Sequence, residues 1–208
     1  MKADGISIGL GGRSTMCGRF YVDNEILKEL ESLFKNPHGK LRVPVVGDVH
    51  PSEKAVVIVG DQTGLYPETM NWGFKQYQGT GLIINARAES ALEKPMFSGS
   101  VLERRCVIPA GHFYEWNRQR EKATFKSGDS DVLYMAGIYQ TEDDERRFTI
   151  LTTKANDSMK PVHGRMPVIL SEEELQDWIV DEKFMRQVLT RTPMMLKREQ
   201  EFEQLSLF

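Results

Sequence analysis

The chain has 208 residues, 40 % of them hydrophobic, which suits one domain or one domain with a tail, and its net charge of −3 excludes a protein that holds nucleic acid by its global field. Two cysteines, Cys17 and Cys106, are too few for a disulfide framework and suit a reducing cytoplasm; no CxxC or clustered Cys/His spacing occurs, so neither a metal nor another cofactor is expected. No run of eighteen apolar residues exists, so no membrane partner is expected either.

Residues 1–16 form a leader or an extension. The apolar stretch Ile6 to Leu10 is short and broken by Gly9, a poor signal peptide, and Gly11, Gly12, Ser14 and Thr15 continue it as a flexible segment. Two origins stay open: an artefactual extension ahead of a true start at Met16, or a propeptide removed later. A single domain is expected over 17–208.

Asp23 is a helix cap followed by Ile26, Leu27, Leu30, Leu33 and Phe34 on one helical face, with Pro37-His38-Gly39 as the stop. Ala55 to Val59 is a buried strand; Asp61 to Gly64 is a turn, and Tyr66 to Trp72 returns as a second strand. Gln76 to Gly81 is loop, and Leu82-Ile83-Ile84 is a short apolar run ending at Asn85. Arg105 to Pro109 is a strand expected to stop at its proline, followed by the aromatic-rich Gly111 to Trp116, with Trp116 expected in the core. Val132 to Tyr139 and Arg147 to Thr153 pair across the charged turn Glu142 to Glu145, and Val168 to Leu170 is a last strand. Ser171 to Glu174 is a capping box opening a helix through Trp178 and Ile179. Lys183 to Phe208 is mixed and partly helical. Many short strands with few helices predict an α+β fold on a curled, barrel-like antiparallel sheet flanked by a few helices.

The chemistry starts at Met16-Cys17-Gly18-Arg19-Phe20. If Met16 is a start, its removal makes Cys17 residue one, with an α-amine and a thiol on adjacent carbons. An α-amine titrates at about 7.7–8.0 and a Lys amine at about 10.4, so near pH 7.4 about a third of the former is neutral against about 0.1 % of the latter. A neutral amine condenses with an aldehyde to an imine, and the neighbouring thiol closes a stable five-membered thiazolidine. The same amine can serve instead as the base for the thiol. Three strand ends carry further reactive groups: Asn85 to Glu89, His112 to Trp116, and His163 to Pro167.

Taken in order, Cys17-Gly18-Arg19-Phe20, Trp72-Gly73, Asn85-Ala86-Arg87-Ala88-Glu89, Phe113-Tyr114-Glu115-Trp116, Thr152 and His163-Gly164-Arg165-Met166-Pro167 resemble the SRAP (SOS-response-associated peptidase) family of abasic-site-processing proteins. The resemblance implies a cytoplasmic, nucleoid-associated monomer whose partner is single-stranded DNA containing abasic sites. It implies a thiazolidine crosslink between Cys17 and the ring-opened sugar aldehyde, shielding the lesion in the DNA damage response. Glu115 is implied as acid/base, His163 as second proton-transfer group, and Asn85 as the orienting side chain. Arg19, Pro51, Trp72, Arg87, Thr152, Arg165 and Met166 are implied as DNA contacts, the arginines on phosphates and Trp72 as a stacking face. Two segments depart from the family pattern: the loop Gly47 to Ser52 carries Asp48 and His50, and Phe74 to Gly81 stands where a tryptophan-bearing insertion is common, with Phe74 or Tyr77 as substitutes.

Two other readings stay open: an N-terminal-nucleophile cysteine amidohydrolase or peptidase, with Asn85 as oxyanion donor, including self-removal of the leader, and a non-enzymatic single-strand binder.

Overall fold

The computed structural model describes residues 17–34 and 46–200. The leader and the expected stop at Pro37 to Gly39 lie outside them. The chain begins with β1 (Phe20–Val22) and α1 (Asn24–Leu33). Asp23 caps α1 as expected, its Oδ1 accepting from the N–H groups of Glu25 at 3.0 Å and Ile26 at 2.9 Å, and Ile26, Leu27 and Leu30 are buried along one face. Next come β2 (Gly47–Val49), β3 (Lys54–Asp61), β4 (Gly64–Trp72), the short ribbon β5 (Phe74–Lys75) and β6 (Leu82–Ile83), and β7 (Asn85–Arg87). Two helices follow, α2 (Ala88–Ala91) and α3 (Pro95–Glu103), then β8 (Arg105–Ala110), β9 (His112–Trp116) and β10 (Lys122–Lys126). The hairpin of β11 (Leu133–Glu142) and β12 (Glu145–Lys154) turns at Asp143 and Asp144, both at positive φ, the turn that matches strand twist. β13 (Arg165–Pro167), β14 (Ile169–Leu170), α4 (Leu175–Val180), α5 (Glu182–Val188) and β15 (Lys197–Gln200) complete the order.

β12 closes the larger sheet on itself. It pairs antiparallel with β11 on one side and parallel with β4 on the other, and β4–β3, β3–β8 and β8–β11 complete the ring. Beyond the stretch that pairs with β4, β12 takes β7 in parallel and β13 antiparallel. The smaller sheet runs β15-β10-β9-β1-β2. Its inward side buries Phe20, Phe113 and Phe125, and Phe20 meets Trp72 of the ring at a centroid distance of 5.0 Å, tying the two sheets together. The architecture is the expected α+β one with a curled, barrel-like core. Among the described residues no helix is long and apolar enough to cross a membrane.

Two local expectations are corrected, and two helices appear where none was expected. β8 runs through Pro109 to Ala110; the ladder on its β3 side has already ended at Ile58–Val107, so the missing N–H interrupts no pairing there. α2 and α3 fall in a stretch with no clear helical period, and Pro95 at the first helical position starts α3. The expected strand Val168 to Leu170 is split at Val168, whose N–H donates to Leu151 of β12 while its carbonyl accepts from Ala136 of β11, so the chain changes partners there.

The helices are tied to the ring by a buried cation. Arg105 of β8 donates to the carbonyls of Trp178 at 2.6 Å, Ile179 at 2.7 Å, Val101 at 2.8 Å and Leu102 at 2.5 Å. It thereby satisfies orphan carbonyls near the ends of α3 and α4. Arg105→Met keeps the volume and strands those carbonyls, so it is expected to lower unfolding free energy by about 3 kcal/mol or more. Urea unfolding followed by tryptophan emission measures this; a loss near zero would show that the cation does not hold these helix ends.

Candidate active site

The reactive groups converge because β9 alternates. Phe113 and Glu115 point inward, while His112, Tyr114 and Trp116 point outward. β1 runs antiparallel to it in the register Phe20–Phe113 and Tyr21–His112, and Tyr114 N–H donates to the Arg19 carbonyl at 3.1 Å. Continuing that register sets Gly18 opposite Glu115, with Cys17 beside the carboxyl. The Cys17 backbone N–H donates to Glu115 Oε1 in a short hydrogen bond, and Glu115 Oε2 accepts from the Trp116 N–H at 3.2 Å. Both carboxylate oxygens are thus held, one of them on the Cys17 nitrogen.

Burial dominates the electrostatics. Cys17 is 0 % exposed and Glu115 4 %. Desolvation, then the neighbouring Glu115 charge, pushes the Cys17 thiol well above its ordinary range, with only the Arg19 backbone N–H pulling it back. Burial likewise raises the Glu115 carboxyl; the Cys17 N–H, the His163 charge and the Trp116 N–H oppose the rise without cancelling it. The site therefore holds a neutral thiol and a carboxyl that keeps its proton above the usual carboxylate range.

β12 brings in the other two groups. Its Ile150 pairs with Asn85 of β7, and its Thr152 pairs with both Arg87 of β7 and Pro167 of β13. Asn85 is half-buried at the start of β7, and His163 stands just ahead of β13. His163 Nδ1 accepts from the Arg165 N–H at 3.1 Å, and in the ring state that makes this bond Nε2 carries the proton. The Arg165 guanidinium is itself held by Glu89 in a fork of 2.5 and 2.9 Å and by the Thr152 carbonyl at 2.6 Å. Glu89, which the sequence reading left without a role, thereby anchors the segment that carries His163. Among the described residues no group of three or more His, Cys, Asp or Glu is arranged to hold a metal.

The residues expected on DNA divide into two groups. Arg87 is exposed, Pro51 half-exposed, and Arg19 half-exposed at 3.5 Å from Asp48. Thr152 and Met166 are buried and used internally: Thr152 Oγ1 donates to the Ala86 carbonyl at 3.3 Å, and Met166 Sδ accepts from the Asn156 N–H. Arg165 is committed to Glu89. Trp72 is fully buried against Phe20 and Phe148, with its indole N–H on the Ile84 carbonyl at 3.1 Å. Burying such a ring is worth about 4–6 kcal/mol and a stacked base returns about 1–3, so swinging it out costs more than it gains. Its contribution is indirect: its backbone clamps the turn after Pro51, accepting from Ser52 N–H and donating to the Glu53 carbonyl. Phe74 is also core, whereas Tyr77 is exposed. Trp116, expected in the core, is half-exposed with Arg19 over its ring at 5.5 Å. The alternation of His112 to Trp116 was the signal for that outward face.

Two solved structures share the fold: a protein from Bacteroides thetaiotaomicron, with TM-score 0.72 and 19 % identity over 88 % of this chain and 91 % of that one, and one from Bordetella bronchiseptica, with TM-score 0.71 and 22 % identity over 88 % and 99 %. The chain is 33 % identical over 181 residues to the abasic site processing protein YoqW of Bacillus subtilis, covering 79 % of this chain and 80 % of that one. It is 25 % identical over 143 residues to the abasic site processing protein YedK of Escherichia coli, covering 65 % and 64 %. Residues 16–206 match the SOS response associated peptidase (SRAP) family, and the chain belongs to that family.

Proposed function

We propose that this protein binds single-stranded DNA at abasic sites and forms a thiazolidine DNA–protein crosslink through Cys17, shielding the lesion. The observation that carries the reading is the Cys17 nitrogen on Glu115 Oε1. In the chain as numbered this atom is a peptide N–H; it stands in for the α-amine that exists once residues 1–16 are gone. Cys17 sits at a φ of 43°, a left-handed conformation that strains a residue with a Cβ by about 1–2 kcal/mol. Removal of the preceding residues, by an aminopeptidase or by the protein itself, ends that strain.

The neutral amine adds to the C1′ aldehyde, giving a carbinolamine. The Glu115 carboxyl delivers a proton to the departing hydroxyl, water leaves, and the carboxylate takes back the proton on nitrogen, so that an imine remains. The thiol then adds to the imine carbon and its proton moves to nitrogen, closing the ring with net loss of one water. His163, with its proton on Nε2, serves the sugar hydroxyl and the reverse reaction; Asn85 orients the reacting groups. Arg19 and Arg87 meet phosphates.

A buried, neutral thiol suits this order. An N-terminal-nucleophile amidohydrolase needs a thiolate to attack first, and both burial and the Glu115 charge oppose one. Imine chemistry needs the amine first and the thiol only afterwards.

Cys17→Ala is expected to abolish the heat-stable adduct with abasic single-stranded DNA on a denaturing gel while keeping single-strand affinity; a surviving adduct would sink the assignment. Because Glu115 keeps its proton above the ordinary carboxylate range near 4.3, the wild-type dehydration step should slow as pH rises through that raised value. Glu115→Gln should cut the crosslinking rate by about 10²-fold or more and remove that pH dependence; an unchanged profile would exclude Glu115 as the acid. His163→Ala should slow release of a purified crosslink, followed by exchange onto excess competitor DNA; normal release would remove its assigned role.

A further inference from the structure

His163 is carried by the loop between β12 and β13, residues 155–164. The Ala155 N–H donates to the Gly164 carbonyl at 3.1 Å and closes the base of that loop. Asn156 then sets its course. The Asn156 carbonyl accepts from the N–H groups of Met159 at 3.1 Å and Lys160 at 2.9 Å, and the Met159 carbonyl accepts in turn from Val162 at 2.9 Å and His163 at 3.0 Å. The Asn156 N–H donates to Met166 Sδ of β13. The turn that delivers His163 is therefore built on the Asn156 backbone.

The Asn156 side chain reaches out of the loop. It is buried, and all four of its hydrogen-bonding sites are used. Oδ1 accepts from the Ser158 N–H at 3.1 Å and from the Ser158 hydroxyl at 2.5 Å. Nδ2 donates to the carbonyls of Pro193 at 3.0 Å and Met194 at 2.9 Å. The Ser158 oxygen accepts from the Leu196 N–H at 3.1 Å. Two side chains thus fasten three backbone groups of the segment 193–196, which belongs to no helix or strand. That segment runs straight into β15. Gln200 of β15 pairs with Ala123 of β10, and Ala123 pairs with Glu115 of β9. One end of the strap belongs to the sheet that holds Cys17 and Glu115, and the other is bolted to the loop that holds His163. Those two halves of the site come from different sheets.

We propose that Asn156 is a positioning residue for His163: with Ser158 it braces the His163 loop against the segment 193–196 and, through β15, ties that loop to the sheet carrying Glu115. It rests on the proton-transfer role given to His163 above. Asparagine suits the position because two N–H bonds must be given and two accepted; alanine removes all four, and aspartate would aim an oxygen at two carbonyls.

Asn156→Ala is expected to slow release of a purified crosslink by about tenfold or more, as displacement of a proton-transfer group does. In a His163→Ala background the same substitution should add nothing, because two residues acting through one group are not additive. The His163 ring-proton NMR resonance, identified as the one missing from His163→Ala, should move in Asn156→Ala. Ser158→Ala removes a single hydroxyl and should give the same pattern in milder form; it carries the test if Asn156→Ala does not fold. Equal slowing with and without His163, or unchanged release with an unmoved resonance, would overturn the proposal. If His163→Ala releases normally while the resonance moves in Asn156→Ala, the brace stands and the release role of His163 falls. If His163→Ala slows release but neither Asn156→Ala nor Ser158→Ala changes release or resonance, the brace falls and the role of His163 stands.

Discussion

The hydrogen bond from the Cys17 nitrogen to Glu115 is the constraint on which the site depends. It joins two groups 98 residues apart in sequence, and it exists because β1 and β9 are antiparallel neighbours whose alternation turns Glu115 inward. A carboxyl in that position gains from nearby N–H donors and loses from desolvation. The balance lies on the side of burial, so the group keeps its proton to a higher pH than a free carboxyl does. The same burial quiets the thiol. One environment thus shifts both groups in the same direction.

The closed ring supplies the other half of the site through a single strand. β12 serves β4, β7, β11 and β13, and Thr152 is the position where the Asn85 and His163 segments meet. The Glu89–Arg165 fork lies over this junction and leaves the Arg165 N–H aimed at His163 Nδ1. Thr152, Arg165 and Met166 make internal bonds that fix the segments carrying Asn85 and His163. A buried hydroxyl and a buried thioether have more to offer as fasteners than as ligands, since exposing them would break bonds already made.

Opposite faces of one sheet carry different side chains. Phe20, Phe113 and Phe125 make the inner side a wall of the core, with Glu115 as its one buried carboxyl, and Trp72 braces that wall against the ring. Tyr21, His112, Tyr114 and Trp116 stay outside because the strand period is two.

What the sequence determined by itself was the local chemistry and the periodic elements. Asp23 and Ser171 announce their caps, Ala55 to Val59 its buried strand, and the acidic turn its hairpin, because these depend on near neighbours in the chain. The ordered motifs pointed to Cys17, Asn85, Glu115 and His163 as the reactive set. What only the tertiary structure decided was orientation. Trp72 and Trp116 are both tryptophans at strand ends, yet one braces the core and the other faces out, since burial is fixed by which sheet packs over each ring. Likewise Arg19, Arg87 and Arg165 look alike in sequence, but a fork from Glu89 reaches only Arg165. The short helices Ala88–Ala91 and Pro95–Glu103 had too little periodicity to be read; Arg105, just past the second of them, holds its last carbonyls and ties them to those of the distant Trp178 and Ile179.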